Sequence, residues 1–261
     1  LNNTKVLPCR LFGSKPTGGK VELLLLGRKQ AGVFRSLIKP GRLRVGDKIN
    51  FSAHLHAFVS AKDEVTFNTD DTSLIYKSGV MPLPPYIKRE TLDSDTEAYQ
   101  TVYATEEGAV ASPTAGLHFT KALLDKIKSN GASIAYVTLH VGLGTFKPVK
   151  SEDIRAHKME EEYFNIPVAS REAINDARSS GKRIFAVGTT SLRSLEAFAA
   201  DPQATYTDLF IYPGYKFKLV DALITNFHLP RTTLFMLVCA FAGASLVKQA
   251  YEEAVNKKYR F

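Results

Sequence analysis

The hydrophobic period of this chain changes partway along its length, and that change limits the possible folds more than any other feature. From Lys5 to Phe67 the apolar residues fall into short strand-like runs: Lys20–Leu26, Val33–Ile38, Lys48–Phe51 and Val65–Phe67. Turn residues separate them at 16–19, at Gly27 and at Pro40-Gly41, and no stretch carries a 3.6-residue period. Short strands at this spacing predict a small barrel or sandwich. From Lys121 onward the patterns alternate. Helices are predicted over Lys121–Asn130, Ser170–Ser180, Thr190–Ala200, Thr233–Ala242 and Ser245–Lys258, with a short one capped by Ser151. Strands are predicted over Ser133–Val141, Tyr163–Ile166, Arg183–Val187, Asp208–Tyr212 and Val220–Thr225. Such alternation predicts an α/β sheet with helices on its faces. Between the two patterns lies Met81-Pro-Leu-Pro-Pro-Tyr-Ile-Lys-Arg89, a proline-stiffened segment that reads as a domain junction. The expected division is residues 5–76 as one domain and 77–261, with residues 1–4, as the other.

Charge follows the same division. Residues 1–50 hold 11 Lys and Arg against only Glu22 and Asp47, whereas the remainder holds 23 against 24 acids. Uniform solubilising charge is not distributed this way; a module facing a polyanion is. A merely solvated basic face is the alternative. Arg42 and Arg44, two apart in Lys39–Asp47, are expected on one face of a strand, where Lys15 and Lys20 extend them into a track for a phosphate backbone. Lys88 and Arg89 stand beside Tyr86, a combination suited to a phosphate and a stacked base. The longest apolar run, Leu234–Ala242, is nine residues, well short of the roughly 20 that a membrane helix needs. Cys9 and Cys239 stand far apart in apolar settings, as core thiols of a reducing compartment do. With no charged-then-apolar leader, a cytoplasmic protein is expected. The opening Leu1-Asn-Asn-Thr, without methionine, is what a fragment is expected to show.

Three segments each pair a histidine with glycine or proline at the end of an apolar run: Ser112–Thr120 with His118, His140–Phe146, and Thr225–Pro230 with His228. Catalytic groups of α/β proteins sit on such loops. Histidine is the usual proton carrier near neutral pH, and three in comparable contexts favour a shared pocket over three separate core hydrogen bonds. His140-Val-Gly-Leu-Gly-Thr-Phe146 is not a dinucleotide fingerprint, because Lys147 stands where the third glycine belongs and Pro148 breaks the helix that would follow. It is a loop that lets backbone amides approach a ligand. Gly188–Glu196 follows a strand and opens a helix, so its amides and the Thr189 and Thr190 hydroxyls can meet an anionic ligand, with Arg193 one turn in as a carboxylate clamp. Glu196, three residues on, is an alternative partner for that guanidinium. No His/Cys/carboxylate set has metal-ligand spacing, so no metal is expected.

These segments resemble the S-adenosylmethionine:tRNA ribosyltransferase-isomerase family of the queuosine pathway. The matching stretches are Asn2–Val6, Arg10–Gly13, Thr17–Leu26, Met81–Arg89, Tyr99–Tyr103, Pro113–Thr120, His140–Phe146, Gly188–Glu196, Thr207–Tyr215 and Thr225–Pro230. They cover the chain in order. Departures are mild: Cys9 and Ser112 stand where alanine is usual, and Ser52–Thr72 is shorter. The family also has a segment before Asn2 and a tail beyond Phe261. The resemblance implies an α/β main domain with an inserted small β-barrel. It implies S-adenosylmethionine as ribosyl donor, with no other cofactor, and as partner a tRNA anticodon stem-loop carrying 7-aminomethyl-7-deazaguanine at the wobble position. Epoxyqueuosine forms while adenine and methionine leave.

On that reading His118 or His228 is the base, and His140 lies with Gly142 and Gly144 near adenine or ribose. Arg193, Thr189 and Thr190 hold the methionine carboxylate, and Asp208 pairs with the methionine ammonium or with the substrate amine. Thr114, Gly116 and Asn226 are further substrate contacts. Lys15, Lys20, Arg42, Arg44, Lys88 and Arg89 grip the tRNA, with Tyr86 or Phe146 stacking on a base. A monomer is expected, with no membrane partner. Two alternatives stay open on the residues alone: an S-adenosylmethionine-dependent RNA methyltransferase, and a non-catalytic RNA-binding module.

Overall fold

Six strands of the basic region close on themselves in the computed structural model, which describes residues 1–84, 86–142 and 153–260. After β1 (Thr4–Val6) come β2 (Arg10–Ser14), β3 (Lys20–Gln30), β4 (Val33–Lys39), β5 (Lys48–Asn50), β6 (His56–Ala61) and β7 (Glu64–Phe67). Their order is β3-β4-β7-β6-β5-β2, and β2 pairs back onto β3, so the antiparallel sheet is an edge-free barrel. Period-two alternation fills it: Leu11, Leu23, Phe34, Ile49, Val59 and Val65 are buried while their neighbours Phe12 and Phe58 face out. Phe67 stacks on Phe51 and meets Phe34 edge-on, each with ring centres 5.6 Å apart.

Three local expectations change here. Gly27 is not a turn but lies inside β3, at a register shift against β4 that bends the long strand. Arg42 and Arg44 lie in the loop between β4 and β5 rather than on a strand. Asp47 closes that loop, its carboxylate accepting the Arg44 N–H at 3.0 Å and its own N–H donating to the Arg44 carbonyl. The third change is at the proline segment. The barrel's compact unit does not stop at residue 76 but spans Lys5–Gln100 and Glu107–Ser112. Met81 and Leu83 are buried with Val6, Tyr99 and Ala109 in one apolar cluster, so the segment is core rather than linker. This part adds α1 (Thr72–Lys77), whose first turn is capped by Asp71, then β8 (Gly79–Val80) on β2, α2 (Asp95–Ala98) and β9 (Glu106–Ala109).

The second unit comprises Leu1–Thr4, Thr101–Glu106 and the chain from Pro113 on. Its elements alternate as expected: α3 (Lys121–Ser129), β10 (Thr138–Leu139), β11 (Glu162–Asn165), α4 (Val168–Ser179), β12 (Phe185–Val187), α5 (Thr189–Ala200), β13 (Tyr206–Thr207), β14 (Ala222–Ile224), α6 (Thr233–Ala242) and α7 (Ala244–Asn256). The main domain is thus α/β, but its sheet comes in two pieces. β12 and β14 run parallel, and β10-β11-β13 are antiparallel. Two strands are shorter than their sequences predict, because side chains take over the ladder. Asn2 accepts the Leu139 N–H and donates to the Leu139 carbonyl, each at 3.1 Å. The Leu209 N–H goes to the Thr207 hydroxyl and its carbonyl to Arg193, so no strand forms over Asp208–Tyr212. Helix α5 is buried along Thr189–Ala197, polar residues included. No single helix among the described residues is long and apolar enough to cross a membrane.

Candidate functional site

The two parallel strands end together, Val187 beside Ile224, and both loops that leave them carry candidate residues. Gly188 follows β12 with φ of 86°, a left-handed turn that glycine makes without strain, and its N–H reaches the Ile224 carbonyl at 2.8 Å. It opens α5 without any side-chain cap, so the first-turn amides of Thr189, Thr190 and Ser191 define a helix N-terminus with buried hydroxyls around it. After β14 come Thr225, Asn226 and His228. A 3-10 turn over Thr114–His118 supplies the third wall. Ala115 packs beside Gly188, and Gly116 lies so close to the Tyr103 hydroxyl that no side chain fits there. The His118 Nε2 meets Asn226 Oδ1 at 3.0 Å. Two of the three histidine loops, expected to share a pocket, therefore meet at the carboxyl ends of parallel strands, where open α/β sheets bind their ligands.

His140 enters by another route. It leaves β10 with its Nδ1 2.8 Å from the Thr4 hydroxyl and its ring stacked on Tyr163. Asn2 ties this strand to α5, since the amide that bonds Leu139 also donates to Thr190 Oγ1 at 3.0 Å. Asn2 is completely buried. Gly144, Phe146 and the expected cap Ser151 lie outside the described residues; where a short helix is expected to follow, Asp153 caps a 3-10 turn over Ile154–Ala156.

Arg193 is not available as a carboxylate clamp. It is buried, its Nη1 paired with Glu162 and its Nε donating to the Leu209 carbonyl. Glu196 is not its partner either. That carboxylate accepts the backbone N–H groups of Lys218, Leu219 and Val220 and the Tyr215 hydroxyl, at 2.8 to 3.1 Å. Sequence reasoning passed over Glu162, although a period-two reading of β11 puts it on the same face as buried Phe164. Asp208 is exposed and makes no ion pair among the described residues. In the barrel unit Lys15 pairs with Asp47 at 3.0 Å, and Arg89 grips Asp95 through two 2.7 Å bonds that hold this carboxyl down at about 2. Lys20, Arg42, Arg44 and Lys88 are exposed.

Burial sets the state of the histidines. His228, its Nε2 3.0 Å from the Thr225 hydroxyl, is pushed down to about 4 by desolvation. His140 is lowered for the same reason, with Glu106 opposing. Both rings are neutral at pH 7. A cavity of about 450 Å³ opens beside His228, walled by Phe235, Lys248, Tyr251 and Glu252. The Cys9 thiol, pushed up to about 12 by burial, is inert. No cluster of metal-ligating side chains occurs among the described residues.

Comparison with known proteins gives a consistent result. A family model described as queuosine biosynthesis protein matches residues 1–261. The S-adenosylmethionine:tRNA ribosyltransferase-isomerase of Thermotoga maritima is 49% identical over all of this chain and 80% of its own length. Those of a Sulfurihydrogenibium species and of Macrococcus caseolyticus are 52% and 49% identical with the same coverage. A crystal structure of S-adenosylmethionine tRNA ribosyltransferase from Thermotoga maritima aligns with 100% of this chain and 77% of its own, at 35% identity and a TM-score of 0.48.

Proposed function

Since this chain belongs to the queuosine biosynthesis protein family, we infer that it is a transferase using S-adenosylmethionine and tRNA as substrates. It transfers and isomerises the ribosyl moiety of S-adenosylmethionine onto 7-aminomethyl-7-deazaguanine of tRNA, giving epoxyqueuosine, adenine and methionine. The observation that carries this reading is identity of about one half, over the full chain, to relatives bearing that name.

The sulfonium of the donor acidifies the adjacent C5′ hydrogens, so a modest base suffices to remove one, and the attacking amine must be neutral. Geometry favours His118 over His228 as that base. Asn226 Oδ1 accepts from the His118 Nε2–H, which fixes the ring beside the α5 N-terminus. His228 is the weaker base, its pKa depressed to about 4. His140, neutral and anchored by Thr4, offers adenine or ribose a hydrogen bond rather than a proton. The methionine carboxylate falls to the amides of Thr189 and Thr190 at the α5 N-terminus, with Arg193 already engaged. Thr114, Gly116, Gly142 and Asn226 line the approach, and Asp208 is the acid exposed to an ammonium. Lys20, Arg42, Arg44 and Lys88, exposed on the basic unit, meet the anticodon stem-loop, joined by Lys15 and Arg89 through their unpaired donors, while Tyr86 stacks on a base. The enzyme works as a cytoplasmic monomer with no cofactor besides its donor.

Incubation with S-adenosylmethionine and tRNA bearing 7-aminomethyl-7-deazaguanine, with unmodified tRNA as control, tests the reading by chromatography and mass spectrometry. Release of adenine and methionine with a matching mass gain on the modified tRNA is expected. Appearance of S-adenosylhomocysteine instead would refute it in favour of methyl transfer.

A further inference from the structure

We propose that Glu162 is a positioning residue, which fixes the backbone carrying His140 against the helix whose N-terminus forms the opposite wall of the site. The inference rests on the reading of the site given above. Its ground is a buried arrangement that neither stability nor the sequence pattern requires. The antiparallel ladder of β10 and β11 carries on beyond Leu139 with the His140 N–H on the Tyr163 carbonyl at 3.1 Å. At the next inward position the main chain no longer supplies an acceptor. The Glu162 carboxylate does so instead, with Oε1 2.8 Å from the Gly142 N–H. Its other oxygen, Oε2, takes the Arg193 Nη1 from α5. One carboxylate thus holds the loop on one side and the helix on the other.

Both side chains of the pair are 3% exposed. Removing two charges from water at such a site is expensive, and apolar residues of the same volume are often as stable or more so. Arg193 also keeps its Nη2 buried with no hydrogen-bond partner among the described residues, a further cost that packing alone would not retain. What an apolar pair cannot supply is the acceptor for Gly142. Loss of that bond frees His140, two residues back, to drift from the α5 N-terminus, and misplacement by about 1 Å costs on the order of 10²-fold in rate.

Two variants separate position from stability. The double variant Glu162→Leu with Arg193→Met removes both charges and the Gly142 acceptor while keeping the volume. Glu162→Gln keeps an acceptor for Gly142 but leaves Arg193 without its counter-charge. Adenine release should show kcat falling about 30-fold or more in the double variant, with KM for S-adenosylmethionine within about threefold. Its melting temperature should stay within about 5 °C of the parent. Glu162→Gln should melt lower than the double variant yet lose less than about fivefold in kcat. Hydrogen exchange of peptides covering residues 137–142 should quicken in the double variant alone.

Activity that tracks melting temperature across the two variants overturns the proposal, because a purely structural pair would behave so. Should the double variant not fold, Glu162→Gln decides: a loss of about 30-fold or more in folded protein refutes the positioning role. If the parent itself releases no adenine, the functional reading has failed. The exchange arm then still answers, and equal protection of 137–142 in parent and double variant sinks the proposal.

Discussion

The barrel unit and the α/β unit use charge in opposite ways. In the barrel itself, residues 10–67, no acid is buried and each meets a cation: Glu64 with Lys29 at 2.7 Å, Asp47 with Lys15 at 3.0 Å, Asp63 with Arg35 at 3.7 Å, Glu22 with Arg10 and Lys39 at 3.5 and 3.6 Å; Asp95, outside these strands, is the buried exception of that unit. Such pairs contribute little, about 0 to 1 kcal/mol each, and the fold stands on its alternating apolar interior. In the α/β unit Glu162, Arg193 and Glu196 are buried, and they close hydrogen bonds that strands and helices leave open. The difference separates two uses of a charged side chain. Surface charge is available to a partner and can be changed without harm to the fold. Buried charge is structural grammar, and its removal strands the groups it satisfies.

Glu196→Ala should make the largest difference. Four donors, three of them backbone N–H groups of Lys218–Val220, lose their acceptor at once. Each buried unsatisfied group costs about 1–3 kcal/mol, so a loss on the order of 4 kcal/mol is expected, read by calorimetry as a fall of about 10 °C. A fall of less than about 2 °C would break the contrast, since the buried carboxylate would then matter no more than a surface one. His118→Ala probes a titratable group of the α/β unit that is exposed rather than buried. Turnover should drop at least ~10²-fold with tRNA affinity and melting temperature nearly unchanged. A drop of less than about threefold would reduce it to a surface hydrogen bond with Asn226.

Acid provides a third lever. The folded His228 has its pKa depressed to about 4 by burial, while the unfolded chain titrates near the ordinary value of about 6.5. Between these values the unfolded state binds the proton and the folded state does not. Stability therefore rises with pH through this window, is fully present above about 6.5, and is lost as pH falls toward 4. About 2 kcal/mol of the decline should vanish in His228→Gln, measured by urea unfolding at pH 4.5 and pH 7. An unaltered pH dependence would show that the ring is hydrated in solution.

The same contrast explains what could be read from the sequence. The barrel was legible because its core follows period two: Leu23, Phe34 and Val65 lie buried on the inward face. Strands β2 and β6 escaped notice because the first carries exposed Phe12 and the second fills its inner face with only Ala57 and Val59. A cap or a glycine stop marks helices α3 and α4 in the sequence, and the alternation with strands marks α5. The meeting of the His118 and His228 loops was anticipated from their glycine and proline context. What stayed hidden was the polar scaffold. Asn2 bonding Leu139 and Thr190, Glu162 bonding Gly142, and Glu196 bonding residues 218–220 are pairings between distant positions. Local periodicity carries no information about them. The engagement of Arg193 is illegible for that reason, since its partner Glu162 lies 31 residues away.

The smallest effect on stability should accompany the clearest effect on binding. Arg42 and Arg44 lie in the loop before β5, exposed, their guanidinium groups paired with no acid among the described residues. Replacing both with alanine removes no buried contact, so the melting temperature should move by less than about 1 °C. If the loop meets the tRNA backbone, each lost phosphate contact takes about 0.7–0.9 from the slope of log affinity against log salt. Filter binding at several salt concentrations reads that slope directly. An unchanged slope would take this loop off the RNA interface and leave its phosphate contacts to residues such as Lys20 and Lys88. A slope that flattens while the melting temperature holds would complete the contrast with Glu196, where a single buried charge alters the fold and two exposed ones alter only what it binds.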